Sequence, residues 1–295
     1  MTQIDRPILI VGTGRSGSTV FHRVLARHRD VGFLSTLNQS FPGWTWLSLF
    51  SRLYPLHMFA KIRDHRLFPK PFSPYRFWEQ YLPGITRHDR PLVPEDVPEA
   101  SIEPLRRSIS RILRLQGKTR FVAKITGWSR MAYFHRVFPE MRFIYLKRQP
   151  RDVVSSWIQA GWLNVSVAVD GDAWEWGDVP EEYVAIWREM GRHPLLSAAI
   201  KTQLDIDDIR RNMALFPGRC FELDYEAFVD DPFGQLRATL AFAELDWSPD
   251  FERTIRETAI RDCTDKWKQF MSQAEGDLLA DFFERVQDAK CHQPL

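Results

Sequence analysis

The residues that point most directly to chemistry run Gly12-Thr13-Gly14-Arg15-Ser16-Gly17-Ser18-Thr19. The apolar run Pro7-Ile-Leu-Ile-Val11 precedes them, and a helical pattern with Val20, Val24 and Leu25 on one face follows. A glycine loop between a strand and a helix turns backbone N–H groups toward an anion, and the helix adds the positive end of its dipole. Such placement is worth ~0.3–1 kcal/mol per surface charge. Gly12-x-Gly14-x-x-Gly17 matches a dinucleotide fingerprint, but that fold wants an acidic residue ending the second strand, ~20 positions on. Asp30 precedes the next apolar run instead. Gly12, Gly17 and Thr19 also fit the spacing of a nucleoside-triphosphatase loop, but Ser18 stands where its phosphate-reaching lysine belongs.

A third reading keeps the cradle and moves the cation. Arg15 lies inside the loop and can fork two donors onto one anion, while Ser18 and Thr19 place hydroxyls at the helix start. That combination suits a 5′-phosphosulfate without a metal. The bland alternative is a tight turn carrying a solvated arginine. A second segment, Phe143-Ile-Tyr-Leu-Lys-Arg148-Gln-Pro-Arg151-Asp152-Val-Val-Ser155-Ser156-Trp157, reads as strand, turn and helix. Arg148 ends the strand and Ser156 follows eight residues later, so a cation and a hydroxyl can close on one phosphate. The competing reading is a surface pair of Arg148 with Asp152, worth ~0–1 kcal/mol.

Together these two segments resemble the donor-binding signatures of the sulfotransferase superfamily, whose donor is 3′-phosphoadenosine-5′-phosphosulfate (PAPS). The resemblance assigns Gly14, Arg15, Ser16, Gly17, Ser18 and Thr19 to the 5′-phosphosulfate, and Arg148 and Ser156 to the 3′-phosphate. Leu223-Asp-Tyr225-Glu226 before Pro232 is similar to a family segment that would set Tyr225 near the adenine. Lys266-Trp267-Lys268 is similar to a C-terminal basic-Trp-basic piece near the donor. The loop is most like tyrosylprotein and carbohydrate sulfotransferases, which carry Arg where cytosolic small-molecule enzymes carry Lys.

The implied fold is α/β: a P-loop-like central parallel sheet flanked by helices. The implied reaction is in-line attack of an acceptor oxygen or nitrogen on sulfur, expelling 3′-phosphoadenosine-5′-phosphate (PAP). Arg15 and Lys124 are the expected catalytic residues. A cation ~4 Å from the charge on the leaving oxygen is worth ~4 kcal/mol at an effective dielectric near 20. A base is not legible: Thr126 and Thr36 occupy the positions where relatives carry His or Glu. His57, His65, His88, Glu95 and Asp96 stay open. If no nucleotide chemistry survives, the chain is a non-catalytic adenine-nucleotide module; a P-loop kinase or hydrolase is the rival enzyme.

The positioning elements follow from pattern. Residues 120–125 and 142–148 read as core strands, residues 219–224 as a fourth strand, and residues 152–159, much of 181–214, 233–242 and the tail beyond 265 as helices. Nine prolines between Pro42 and Pro98, mixed with aromatics such as Trp44, Trp46, Phe50, Tyr54, Phe68, Phe77 and Trp78, predict an irregular but folded insertion. Those aromatics either line an apolar acceptor cleft or form the insertion's own core. A helix is expected from about Ser101 as N-cap, with Arg107, Arg111 and Arg114 on its polar face. That stripe suits solvent, an acidic acceptor or peripheral contact with a membrane surface.

The 295 residues read as one domain, with 39–118 as its acceptor-side insertion. A net charge of +2 gives no global field for nucleic acid, so an anion site must be local. Cys220, Cys263 and Cys291 lack metal-ligand spacing, so no metal is expected. No signal-peptide core or apolar span of ~20 residues is present, and the expected location is cytoplasmic. Expected partners are the nucleotide and a small-molecule, lipid or glycan acceptor; oligomeric state is open.

Overall fold

A computed structural model describes residues 4–162 and 174–291. Its centre is a sheet of five parallel strands: β1 Ile8–Val11, β2 Val31–Phe33, β3 Arg120–Lys124, β4 Arg142–Lys147 and β5 Cys220–Asp224. Their order is β2-β3-β1-β4-β5. The helices are α1 Ser18–Leu25, α2 Thr36–Ser40, α3 Tyr75–Tyr81, α4 Glu99–Gln116, α5 Met131–Val137 and α6 Pro150–Gln159. They continue with α7 Glu181–Glu189, α8 Pro194–Leu215, α9 Tyr225–Asp230, α10 Pro232–Ala243, α11 Pro249–Glu257 and α12 Gln273–Cys291. Short 3-10 turns fill parts of the proline-rich stretch, as Thr45–Leu53, His57–Phe59 and Pro94–Asp96.

Side chains alternate across a strand, so each strand feeds two cores. Leu9, Val11, Phe121, Ala123, Phe143 and Tyr145 pack on one face, against α3, α4 and α5. Ile8, Ile10, Val122, Ile144, Leu146 and Leu223 pack on the other, against α1, α9, α10 and α11. Both faces are covered, which is why these strands read as unbroken apolar runs. Each fully buried Phe, Leu or Ile side chain contributes about 1.5–3 kcal/mol. A third core joins α6, α7, α8 and α12 through Val153, Trp157, Leu196, Trp267 and Phe282. It fixes the helix that carries Ser156.

The expected α/β architecture holds. A fifth strand, β2 at Val31–Phe33, is not among those expected, and one helix start differs: α4 begins at Glu99 after Pro98, so Ser101 lies inside the first turn and caps nothing. Pro98 fixes its own φ and ends the extended approach, which suffices to open the helix without a hydroxyl cap. The insertion divides its aromatics. Tyr54, Phe68, Phe77 and Trp78 are buried, whereas Phe41, Trp44, Trp46 and Phe50 are exposed. Ser35 ties the insertion to the sheet, capping α2 through a reciprocal box with Asn38 and pairing across to Pro71. Among the described residues, no helix is long and apolar enough to cross a membrane.

Candidate active site

All the strands end on one side, and parallel sheets bind ligands beyond the carboxyl ends of their strands. There the loop after β1, the end of β3, the turn after β4 and the start of α9 enclose a cleft of about 400 Å³. Arg15, Gly17, Ser18, Thr19, Lys124, Arg148, Ser156, Tyr225 and Lys266 line it. Residues 133 and 141 positions apart in sequence thus converge on one space.

Local backbone explains the loop. Gly17 precedes α1 at φ +83°, and an added Cβ would lie 2.4 Å from the Tyr225 ring. Both the left-handed conformation and the close approach require glycine here. No side chain caps α1, so its first-turn amides are left for an anion. Arg15 itself has φ +71°, an uncommon conformation for a residue with a Cβ. The Trp157 indole N–H donates to the Gly14 carbonyl at 3.2 Å, and Trp162 lies 5.7 Å under the Arg15 guanidinium. These contacts hold the strained loop open.

The side chains interlock. Arg15 Nε donates to Ser156 Oγ at 2.9 Å. Arg148 donates to the carbonyls of Arg15 (2.9 Å) and Cys263 (2.6 Å), and its guanidinium lies 4.7 Å over the Tyr225 ring. The Arg148–Asp152 pair does not form. Asp152 instead accepts from the amides of Asp265 and Trp267, both at 3.1 Å, and so fastens the turn that presents Lys266. A carboxylate with two backbone donors is better satisfied there than in a solvated ion pair.

Lys124 Nζ donates to Thr19 Oγ1 at 2.9 Å, bringing from β3 the cation that position 18 lacks. Burial, and then the nearby Arg23, lower its pKa to about 8. Beneath the loop His22 is buried, its Nε2 unpartnered among the described residues, and burial lowers its pKa to about 3. Among the described residues the cleft has five cationic side chains, Arg15, Arg23, Lys124, Arg148 and Lys266, against one carboxylate, Asp152. The cleft is thus locally positive on a chain of net charge +2. Among the described residues no group of three or more His, Cys, Asp or Glu is placed to hold a metal ion.

A model of the sulfotransferase family matches residues 7–249. The chain belongs to the sulfotransferase family.

This sulfotransferase is similar in fold to three solved relatives. A Mycobacterium avium sulfotransferase has TM-score 0.56 and 16% identity over 97% of this chain and 77% of that one. The sulfotransferase domain of the Synechococcus PCC 7002 olefin synthase has TM-score 0.52 and 17% identity over 100% and 98%. A sulfotransferase domain from the curacin biosynthetic pathway has TM-score 0.51 and 15% identity over 96% and 98%. No match was found among curated proteins.

Within the sulfotransferase, three expected residues stand apart from the lining. Gly14 and Ser16 are buried under the loop, and Lys268 is exposed and paired with Asp265. Arg23, Gln159, Trp162 and Cys263 line the cleft without any motif in the sequence to mark them. Arg23 lies one turn along α1 from Thr19, a helical-spacing signal that was available. Thr126 lines the cleft, but the Thr36 hydroxyl donates to the Phe68 carbonyl at 2.6 Å and is structural.

A second cavity of about 420 Å³ shares Val20 and Arg23 with the first. His57 lies in it, Nδ1 3.1 Å from the Glu257 carboxylate. Glu257 also accepts from Arg27 at 3.0 Å.

Proposed function

We propose that this sulfotransferase transfers the sulfuryl group of PAPS to a hydroxyl or amine of a small-molecule, lipid or glycan acceptor. The observation that carries the reading is the five-cation cleft around an uncapped helix start, with Lys124 on Thr19 where a triphosphatase would use a loop lysine. A bisphosphorylated adenosine carries negative charge at two separated points. The loop and Lys124 serve one of them. Arg148, Lys266 and Ser156 serve the other, and the buried Tyr225 ring supports the Arg148 guanidinium from beneath.

PAPS supplies an electrophilic sulfur when bound. The acceptor oxygen or nitrogen would bond to that sulfur as the bond from sulfur to the bridging oxygen breaks, with PAP leaving. Arg15 stabilises the charge left on that oxygen, and Lys124 holds the sulfuryl oxygens. The second cavity, which adjoins the cleft at Val20 and Arg23, gives the acceptor an approach, and His57 within it is the candidate to take the acceptor's proton. His57 Nδ1 lies 3.1 Å from the Glu257 carboxylate, which orients the ring.

Transfer of labelled sulfate from PAPS to a panel of phenols, lipid alcohols, glycans and amines tests the reading. Sulfated product that disappears with Arg15→Ala supports it. Tight PAP binding with no transfer to any acceptor would favour a non-catalytic nucleotide module.

A further inference from the structure

The insertion carries a surface that the transfer reaction does not use. Ten of the fourteen exposed large hydrophobic residues of the described chain fall between Phe41 and Phe72. Four of them form a chain of rings: Phe41 stacks on Trp44 at 5.4 Å, Trp44 on Trp46 at 6.3 Å, and Trp46 meets Phe50 at 6.3 Å. Phe50 in turn lines an apolar hollow of about 610 Å³ with Leu47, Leu53, Ile62 and Leu67. Met58 and Leu67 protrude furthest, at 80% and 73% exposure. Apolar patches of this extent mark interaction surfaces, since an isolated soluble domain gains nothing by leaving them in water.

Charge selects the partner. Residues 41–76 contain six Lys or Arg and one acid, Asp64. Asp64 is paired with Arg23, on the cleft side. Lys61 and Arg66 are exposed beside Ile62 and Leu67 and have no ionic partner among the described residues. Protruding Trp, Phe, Leu and Met rimmed by unpaired cations is the composition of a surface that lies in the headgroup layer of a bilayer.

We propose that the exposed face of residues 41–50, with Lys61, Ile62, Arg66 and Leu67, docks this protein on an anionic lipid bilayer, with Trp44, Trp46 and Phe50 at the headgroup level and the apolar hollow open to acyl chains. The arginine stripe of α4 is not needed for this. The proposal does not rest on the identity of the donor.

Sedimentation with vesicles tests it, using phosphatidylcholine alone and phosphatidylcholine with about one-third phosphatidylglycerol. The full chain is expected to bind the anionic vesicles about tenfold more tightly, and less so at high salt. Trp44→Ser with Trp46→Ser should lower that binding about tenfold or more. Lys61→Glu with Arg66→Glu should remove the preference for anionic lipid. Both variants should bind PAP as the parent does, which shows that they fold. No vesicle binding by the parent would overturn the proposal. So would unchanged binding in the Trp variant, or a concentration-dependent dimer that the Trp substitutions abolish.

Discussion

Arg15 Nε donates to Ser156 Oγ at 2.9 Å across 141 residues of sequence. The loop after β1 and helix α6 are therefore one hydrogen-bonded unit. Removing either partner should disturb both halves of the donor site. Arg15→Ala is expected to weaken PAP binding ~10- to 100-fold and to lower turnover further, whereas Arg148→Ala should act mainly on affinity. Ser156→Ala should cost less, and the double variant should lose less than the sum of the singles. Calorimetric titration of PAP into the parent, Arg15→Ala, Ser156→Ala and their double variant checks this, with Arg148→Ala alongside. Strict additivity would mean that the observed bond carries no coupling.

The Lys124 ammonium is expected to impose a pH dependence. Burial and Arg23 lower its pKa to about 8, so the charge is present below that pH and lost above it. PAP affinity should thus fall on the alkaline side of pH 8, by up to about tenfold per unit. In Lys124→Met the affinity should be lower throughout and flat across the same range. A parent profile flat from pH 7 to about 9 would contradict the placement of this ammonium against the anion.

Asp152 holds the turn of Lys266 through two backbone amides. Asp152→Asn should lower thermal stability by ~1–3 kcal/mol and weaken PAP binding. The informative comparison is Lys266→Ala, made in the parent and in Asp152→Asn. Its effect on PAP affinity should be smaller in the second background, because the turn no longer presents the lysine. Equal effects would show that Asp152 acts on stability alone.

The parts of the site legible in the sequence are those where a short motif sits at an element boundary. The loop at 12–19, Lys124 at the end of β3 and Arg148 after β4 are fixed by their strands, and a parallel sheet brings strand ends together. Asp152 was not legible in its true role, because its partners are amides 113 and 115 residues away. Its neighbour at i−4, Arg148, suggested an ion pair that the tertiary bonds replace. Trp157 and Trp162 carry no spacing that announces a loop above them. In the insertion, frequent prolines erase periodicity, so buried Tyr54 and Trp78 could not be told from exposed Trp44 and Trp46. The same loss of pattern hid the start of α4, where proline rather than a hydroxyl opens the helix.

We propose that this cleft holds a 3′-phosphorylated adenine nucleotide without help from a metal. Calorimetric titration of PAP in the presence of a chelator, set beside magnesium-ATP, tests it most directly. Binding of PAP on the order of micromolar, with ATP much weaker, is the expected result. Preference for magnesium-ATP, or a magnesium requirement for PAP, would contradict the account.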